Sequence, residues 1–176
     1  ALAAGGFLRI RGELFDVRQT SEGPVLATLD RGAVPRFGVM SQGIHVNGYV
    51  RREDGPWLWM GFRARNKPVA PGKLDNMIAG GIPAGLSPEE TLVKEAEEEA
   101  SVPAAIAVTA RRTGRVSYVL ANDEGLRRDV LHCYDLELPA EFTPKPNDDE
   151  VERFELWPAA RVLEAVADTD DVKFNV

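Results

Sequence analysis

Residues 80–102 read GGIPAGLSPEETLVKEAEEEASV, a glycine-rich turn that runs into a strongly acidic segment. Ser87 is a good N-cap, and Pro88 suits the first helical position. Glu90, three residues after the cap, completes a capping box in which two side chains satisfy otherwise orphaned backbone donors. A helix beginning at Ser87 is therefore well specified. At about 100° per residue, Leu92, Val93, Ala96 and Ala100 fall on one arc, expected to face a sheet, with Glu95, Glu98 and Glu99 on the adjoining arc. Carboxylates at i, i+3 and i+4 repel one another, and an apolar neighbourhood worsens the repulsion by desolvation. Acidic runs are most often solvated helix faces. A solvated face, however, needs no glycine turn just upstream, whereas a phosphate-handling cation site needs backbone that a ligand can approach closely. Such a cluster is tolerable if a hard divalent cation occupies it, since Mg²⁺ takes carboxylate oxygens and water.

On either side of this segment the chain alternates between strand and helix patterns. Upstream, Phe7, Leu8, Ile10, Leu14, Phe15 and Val17 precede the turn SEGP and the run VLATL, which reads as a small β-rich extension over residues 1–37. Residues 38–176 are expected to form the main domain. Within it GIHVNGYVRR and PWLWMGFRA flank EDGP as a hairpin over 43–52 and 56–64, NKPVAPGKLDN is a loop, and MIAGG a short strand. Downstream, GRVSYVLA and RDVLHCYDLEL are paired strand candidates, EFTPKPNDDE a loop, EVERFELW a strand, and PAARVLEAVA a closing helix with proline in its first turn. The pattern predicts an α/β (α+β) fold, a mixed or mostly antiparallel sheet with helices on its faces.

With 176 residues, 44% apolar and 28% charged, the chain has enough apolar content for one packed domain and an appendage. A net charge of -7 argues against a general nucleic-acid binder, because phosphate backbones select basic surfaces. No run of 18 or more apolar residues is present, and ALAAGGFLRI lacks the regions of a signal peptide, so no membrane span is expected. The single cysteine, Cys133, excludes an intrachain disulfide and a cysteine-rich zinc site, which leads to a cytoplasmic expectation. With alanine first and an apolar pair closing DDVKFNV, both ends read as open.

The segment 80–102 resembles the Nudix (MutT-like) box, in which a glycine, five residues, a glutamate and seven further residues precede R-E-apolar-x-E-E-x-G-apolar. Gly80 falls on the first glycine, Glu95 on the glutamate of R-E, and Glu98 and Glu99 on the E-E pair. Ala96 and Val102 fall on the apolar positions. Leu86, Lys94 and Ser101 depart from the expected glutamate, arginine and glycine. The first two losses remove both halves of one supporting contact, and the third bears on how the helix ends. The resemblance implies an α/β/α sandwich with a mixed sheet and hydrolysis of a diphosphate bond. It also implies a metal site of Glu95, Glu98, Glu99 and the Gly80 carbonyl, holding Mg²⁺ or Mn²⁺. The longer run 61–102, with VLATLDRGAVPRFGV, VLHCYDLELP and NDDEVERFELW, resembles the subgroup joined to thiamine pyrophosphokinase in some fungi. That likeness implies thiamine diphosphate or altered forms of it as substrate.

Diphosphate hydrolysis requires an activated water and neutralised phosphates. Glu98 and Glu99 are the principal candidate ligands, and Glu95 a ligand or the group orienting the water. Candidate bases are Glu95, Glu150 and Glu152, the latter two also readable as surface acids. Arg63, Arg65, Lys67 and Lys73 flank the box and are candidate phosphate receivers in an acidic protein. Trp57, Trp59, Phe62 and Tyr118 could stack on a substrate ring, with core packing as the plainer role. His132 and Cys133 lie in a strand pattern and read as an incidental histidine and a packed cysteine. Two rival readings remain. An isomerase of the isopentenyl diphosphate type would need a catalytic cysteine and a metal-binding histidine near the glycine turn, and NMIAGG has neither. A catalytically silent binding module would have no need to maintain the glutamate repulsion. The expected partner is a small-molecule diphosphate, with neither nucleic acid nor membrane, and a homodimer is left open.

Overall fold

The computed structural model describes residues 4–67 and 69–176. Its strands are β1 (Leu14–Val17), β2 (Ala27–Asp30), β3 (Met40–Arg52), β4 (Gly55–Arg63), β5 (Leu74–Asp75), β6 (Ile78–Gly81), β7 (Arg111–Asn122), β8 (Gly125–Glu137) and β9 (Val151–Pro158). The helices are α1 (Pro88–Ala100), α2 (Ala104–Ala107) and α3 (Ala159–Asp168), with a 3-10 turn at Pro35–Phe37. One seven-stranded sheet has the order β5-β4-β3-β8-β7, with β6 paired to β3 and β9 to β4. The expected α+β architecture is thus present. The chain divides into two compact units, and β3, β6, β7, β8 and α1 contribute residues to both.

The first unit takes in residues up to Ile44, Gly81–Thr91 and Arg115–His132. β1 and β2 form an antiparallel two-stranded sheet, paired from Leu14 with Asp30 to Val17 with Ala27. Asp30 receives the backbone N–H groups of Arg11 at 3.0 Å, Gly32 at 2.8 Å and Gly12 at 2.9 Å, and these donors hold its carboxyl below the usual range. The strand expected around Phe7 and Ile10 is absent, and both side chains are exposed. Lacking a partner strand, their backbone turns instead, and Arg36 lies over the Phe7 ring. Buried Asp129 accepts from Ser41 at 2.6 Å, Tyr118 and Arg127. Tyr118 is therefore a structural donor. His132 is buried, with Nε2 at 2.8 Å from Gln42 Oε1. Cys133, by contrast, is partly exposed, so alternation along β8 reverses the expected roles of the pair.

The second unit comprises His45–Gly80, Leu92–Gly114 and Cys133–Val176. Its framework is the antiparallel hairpin β3/β4, closed where Arg52 pairs with Gly55, whose φ of +119° is a conformation that L residues avoid. β4 also pairs antiparallel with β5 and, from Trp57 with Pro158 to Arg63 with Val151, with β9. Met60, Leu74, Trp157, Val162 and Val172 form a buried cluster, covered by α3. Phe62 meets Trp157 edge-on at 6.3 Å and, partly buried, packs against this cluster. Pro158 caps α3 from outside instead of occupying its first turn. The two-residue β5 lies within the expected loop, too short for any periodicity to announce it. It ties down the chain's last residues: Leu74 N–H donates to the Asp171 carbonyl, and Lys173 N–H to that of Leu74.

Candidate active site

Helix α1 starts as the capping box requires. Glu90 N–H donates to Ser87 Oγ at 3.1 Å, and Ser87 N–H donates to Glu90 Oε2 at 2.9 Å. Ser87 as donor holds the exposed Glu90 carboxyl below its ordinary range. Leu92, Ala96 and Ala100 are buried as expected, while Val93 is only partly so. The helix ends in a left-handed residue although glycine is absent. Ser101 takes φ +53°, and its N–H and that of Val102 return to the carbonyls of Glu97 and Ala96. Its Oγ donates to the Lys145 carbonyl at 3.0 Å, a bond to a distant loop that helps hold the left-handed turn.

The three glutamates of the second half of the helix differ sharply. Glu99 is 5% exposed, and its Oε2 accepts the Ala79 N–H of β6 at 2.8 Å. Burial pushes its carboxyl well above the ordinary range, against the Ala79 donor and with help from the charges of Glu95, Asp75 and Glu150. Glu95 lies over Gly80: a Cβ there would come within 2.6 Å of the Glu95 carboxyl carbon. Only glycine at 80 lets this carboxylate rest on the strand. Burial raises the Glu95 carboxyl too, opposed by Lys94. Glu98 is exposed. Lys94 Nζ bridges it to Glu95, at 2.5 Å from Glu98 and 3.1 Å from Glu95, and its ammonium is pushed up to about 12 despite desolvation.

A cleft about the width of one water or ion adjoins Glu99, lined by Gly61, Arg63, Asp75, Asn76, Ala79, Glu150 and Val151 as well. Of the candidate bases, Glu150 belongs to this cleft and pairs with Lys67 at 2.5 Å, while Glu152 lies outside it, 4.0 Å from Arg65. The four candidate phosphate receivers separate. Arg63 is committed: Nη1 donates to Asp75 at 2.7 Å, and Nε and Nη2 to the Val69 carbonyl at 3.1 and 3.0 Å. Arg65 is 89% exposed, Lys67 stands on Glu150, and Lys73 is partly buried. Buried Asp75, which also accepts from Lys173 at 2.9 Å, and Asn76 were not singled out from sequence. The available signal was an acid and an amide between Leu74 and the apolar pair Met77–Ile78, where a strand pattern favours neither.

The donor set fits a hydrated divalent cation. Lys94 already places a positive charge between Glu95 and Glu98, and the glycine at 80 leaves a cradle that a side chain would fill. Asn76 Oδ1 is shut off from solvent with no hydrogen-bond partner. Among the described residues no three acid, histidine or cysteine side chains converge as a complete cage.

Comparison with known proteins follows the same line. A family model described as NUDIX domain matches residues 42–175. Over 166 residues the chain is 46% identical to Nudix hydrolase 20, chloroplastic, of Arabidopsis thaliana, covering 94% of this chain and 44% of that protein. It is 45% identical to Nudix hydrolase 24, chloroplastic, of the same plant, over 93% of this chain and 45% of the relative. The chain thus spans less than half the length of these relatives. A crystal structure from Deinococcus radiodurans shares the fold, with a TM-score of 0.67 at 23% identity, over 92% of this chain and 93% of its own. The chloroplastic relatives overturn the cytoplasmic expectation: one cysteine speaks for a fold without disulfides and cannot choose among compartments. No helix among the described residues is long and apolar enough to cross a membrane. A Nudix-box register on β6 and α1, the family match over 42–175 and two relatives at 45–46% identity have one meaning: the chain belongs to the Nudix family.

Proposed function

We propose that this chain is a divalent-metal-dependent hydrolase of diphosphate bonds in small organic diphosphates, with thiamine diphosphate or altered forms of it as the substrate class. The observation that carries the reading is Glu99, a carboxylate 5% exposed on the Ala79 N–H beside Glu95 and a cleft lined with acceptor groups. A buried charge of this kind is costly unless a cation compensates it. Membership of the Nudix family supports the reaction class, and the subgroup resemblance of the sequence supports the substrate. The reading also takes residues 38–176 as the catalytic domain and 1–37 as an appended piece, in keeping with the family match over 42–175.

Glu95, Glu98 and Glu99, with the Gly80 carbonyl, would hold Mg²⁺ or Mn²⁺. When bound, the ion supplies charge neutralisation at the bridging phosphates and lowers the pKa of a water. Glu150, at the cleft, is favoured over Glu152 as the group that takes the proton, with Glu95 as the other candidate. Arg65, Lys67 and Lys73 receive phosphate oxygens; a phosphate on Lys67 frees Glu150 from its ion pair. Arg63 acts from behind, holding Asp75 and the Val69 carbonyl.

The test is turnover of a panel of thiamine diphosphate, its oxidised analogues, ADP-ribose and nucleoside triphosphates with Mg²⁺, followed by phosphate or monophosphate release. Preference for thiamine forms is expected. Preference for nucleotides or ADP-ribose removes the substrate assignment, and equally negligible release by wild type and Glu98→Gln on every compound removes the hydrolase.

A further inference from the structure

The cleft beside Glu99 is joined to a chain of polar side chains whose direction can be deduced. Arg111 Nη2 donates to Asp135 Oδ2 at 3.4 Å, and Asn47 Nδ2 donates to Asp135 Oδ1 at 3.2 Å. An ionised carboxylate only accepts, so Asn47 must turn its amide nitrogen toward Asp135 and its Oδ1 the other way. That oxygen receives Asn76 Nδ2 at 2.8 Å. Asn76 is therefore obliged to point Oδ1 away from Asn47, and this oxygen is sealed from solvent and has no partner. The Asn76 N–H donates to Asp75 Oδ1 at 3.0 Å, which fixes the backbone of the same residue.

Asn76 lines the cleft with Asp75, Glu99 and Glu150, and the one cationic lining group, Arg63, is already engaged by Asp75 and Val69. No lining group donates to Asn76 Oδ1. A buried acceptor left unpaired is costly, and a flip of the amide would relieve it were the flip not barred by Asp135.

We propose that Asp135, Asn47 and Asn76 form a relay that aims the Asn76 carbonyl oxygen into the cleft beside Glu99, where it accepts a hydrogen bond from a water on the bound divalent ion. Asp135 and Asn47 are positioning residues that act through Asn76. This rests on the proposed metal-dependent function and adds an outer contact that no glutamate supplies. Outer contacts of this sort typically change metal affinity by roughly 10- to 100-fold.

Mn²⁺ titration followed by electron paramagnetic resonance, with thermal melts of the metal-free proteins, tests the relay on wild type, Asn76→Ala and Asp135→Asn. Asp135→Asn keeps the shape but removes the acceptor-only end that sets the direction of both amides. Both variants are expected to bind Mn²⁺ about tenfold more weakly, and Asp135→Asn to melt within a few degrees of wild type. Wild-type Mn²⁺ affinity in Asp135→Asn overturns the relay while leaving the metal site standing, as does unchanged Mn²⁺ affinity in both variants with an altered KM. Failure of wild type to bind Mn²⁺ at all overturns the metal-dependent function and the relay together.

Discussion

The two ends of helix α1 carry glutamates with opposite physics. At the first turn Glu90 is exposed, accepts from both the N–H and the hydroxyl of Ser87, and has its carboxyl held low. Near the last turn Glu99 is buried, accepts one backbone N–H, and has its carboxyl pushed high by desolvation. The first arrangement is complete within the chain and stabilises a helix start. The second rests on a single backbone donor in a buried setting, and under the proposed function a cation completes it. Like residues nine positions apart thus differ sharply in burial and in partner count.

Glu99→Gln has the largest expected effect: wild type gains about 2.7 kcal/mol at a hundred-fold excess of Mg²⁺ over its Kd, and the variant gains almost nothing, as read by thermal melts with and without Mg²⁺. Gly80→Ala comes next. Its Cβ would press the Glu95 carboxyl from 2.6 Å, so a loss of about 1–3 kcal/mol is expected, with weaker metal binding. Denaturant midpoints check the first effect and Mn²⁺ titration the second. Ser87→Ala removes the cap for about 1 kcal/mol and leaves metal affinity unchanged; a change in affinity would mean that the two ends are not separable.

The pH dependence should differ in sign between the two ends. In metal-free protein the raised Glu99 carboxyl favours the folded state while protonated. Its contribution is full below the unfolded carboxylate pKa and lost as pH rises through the raised value. Glu90 behaves oppositely, stabilising above the unfolded pKa and fading as pH falls through its lowered one. Melts across pH in a chelator should lose the first slope in Glu99→Gln and the second in Glu90→Gln. Identical slopes in Glu99→Gln and wild type would show that Glu99 is not the buried acid described here.

Much of this arrangement was legible from sequence because it is local. The Ser87 cap, Pro88 and Glu90 lie within one turn, and Gly80 with Glu95, Glu98 and Glu99 follow a fixed spacing over a strand and a helix. The depth of Glu99 was not legible, since helical phase placed it beside the apolar stripe and only the fold put β6 against it. Nor was the pairing of Asp75 with both Arg63 and Lys173, the latter 98 positions away, at the short strand β5. A basic residue near a phosphate site reads as a phosphate receiver until its partner is seen. Ser101 taught the converse: the sequence pattern asks for glycine, and the chain reaches the same left-handed turn with a serine anchored by Lys145.

The contrast between the helix ends is tested most directly by Mg²⁺-dependent turnover of an organic diphosphate by wild type, Glu99→Gln and Ser87→Ala at a temperature where all three are folded. Glu99→Gln is expected to lose roughly 100-fold or more in kcat while Ser87→Ala keeps the wild-type rate. Equal rates in Glu99→Gln and wild type would contradict the contrast.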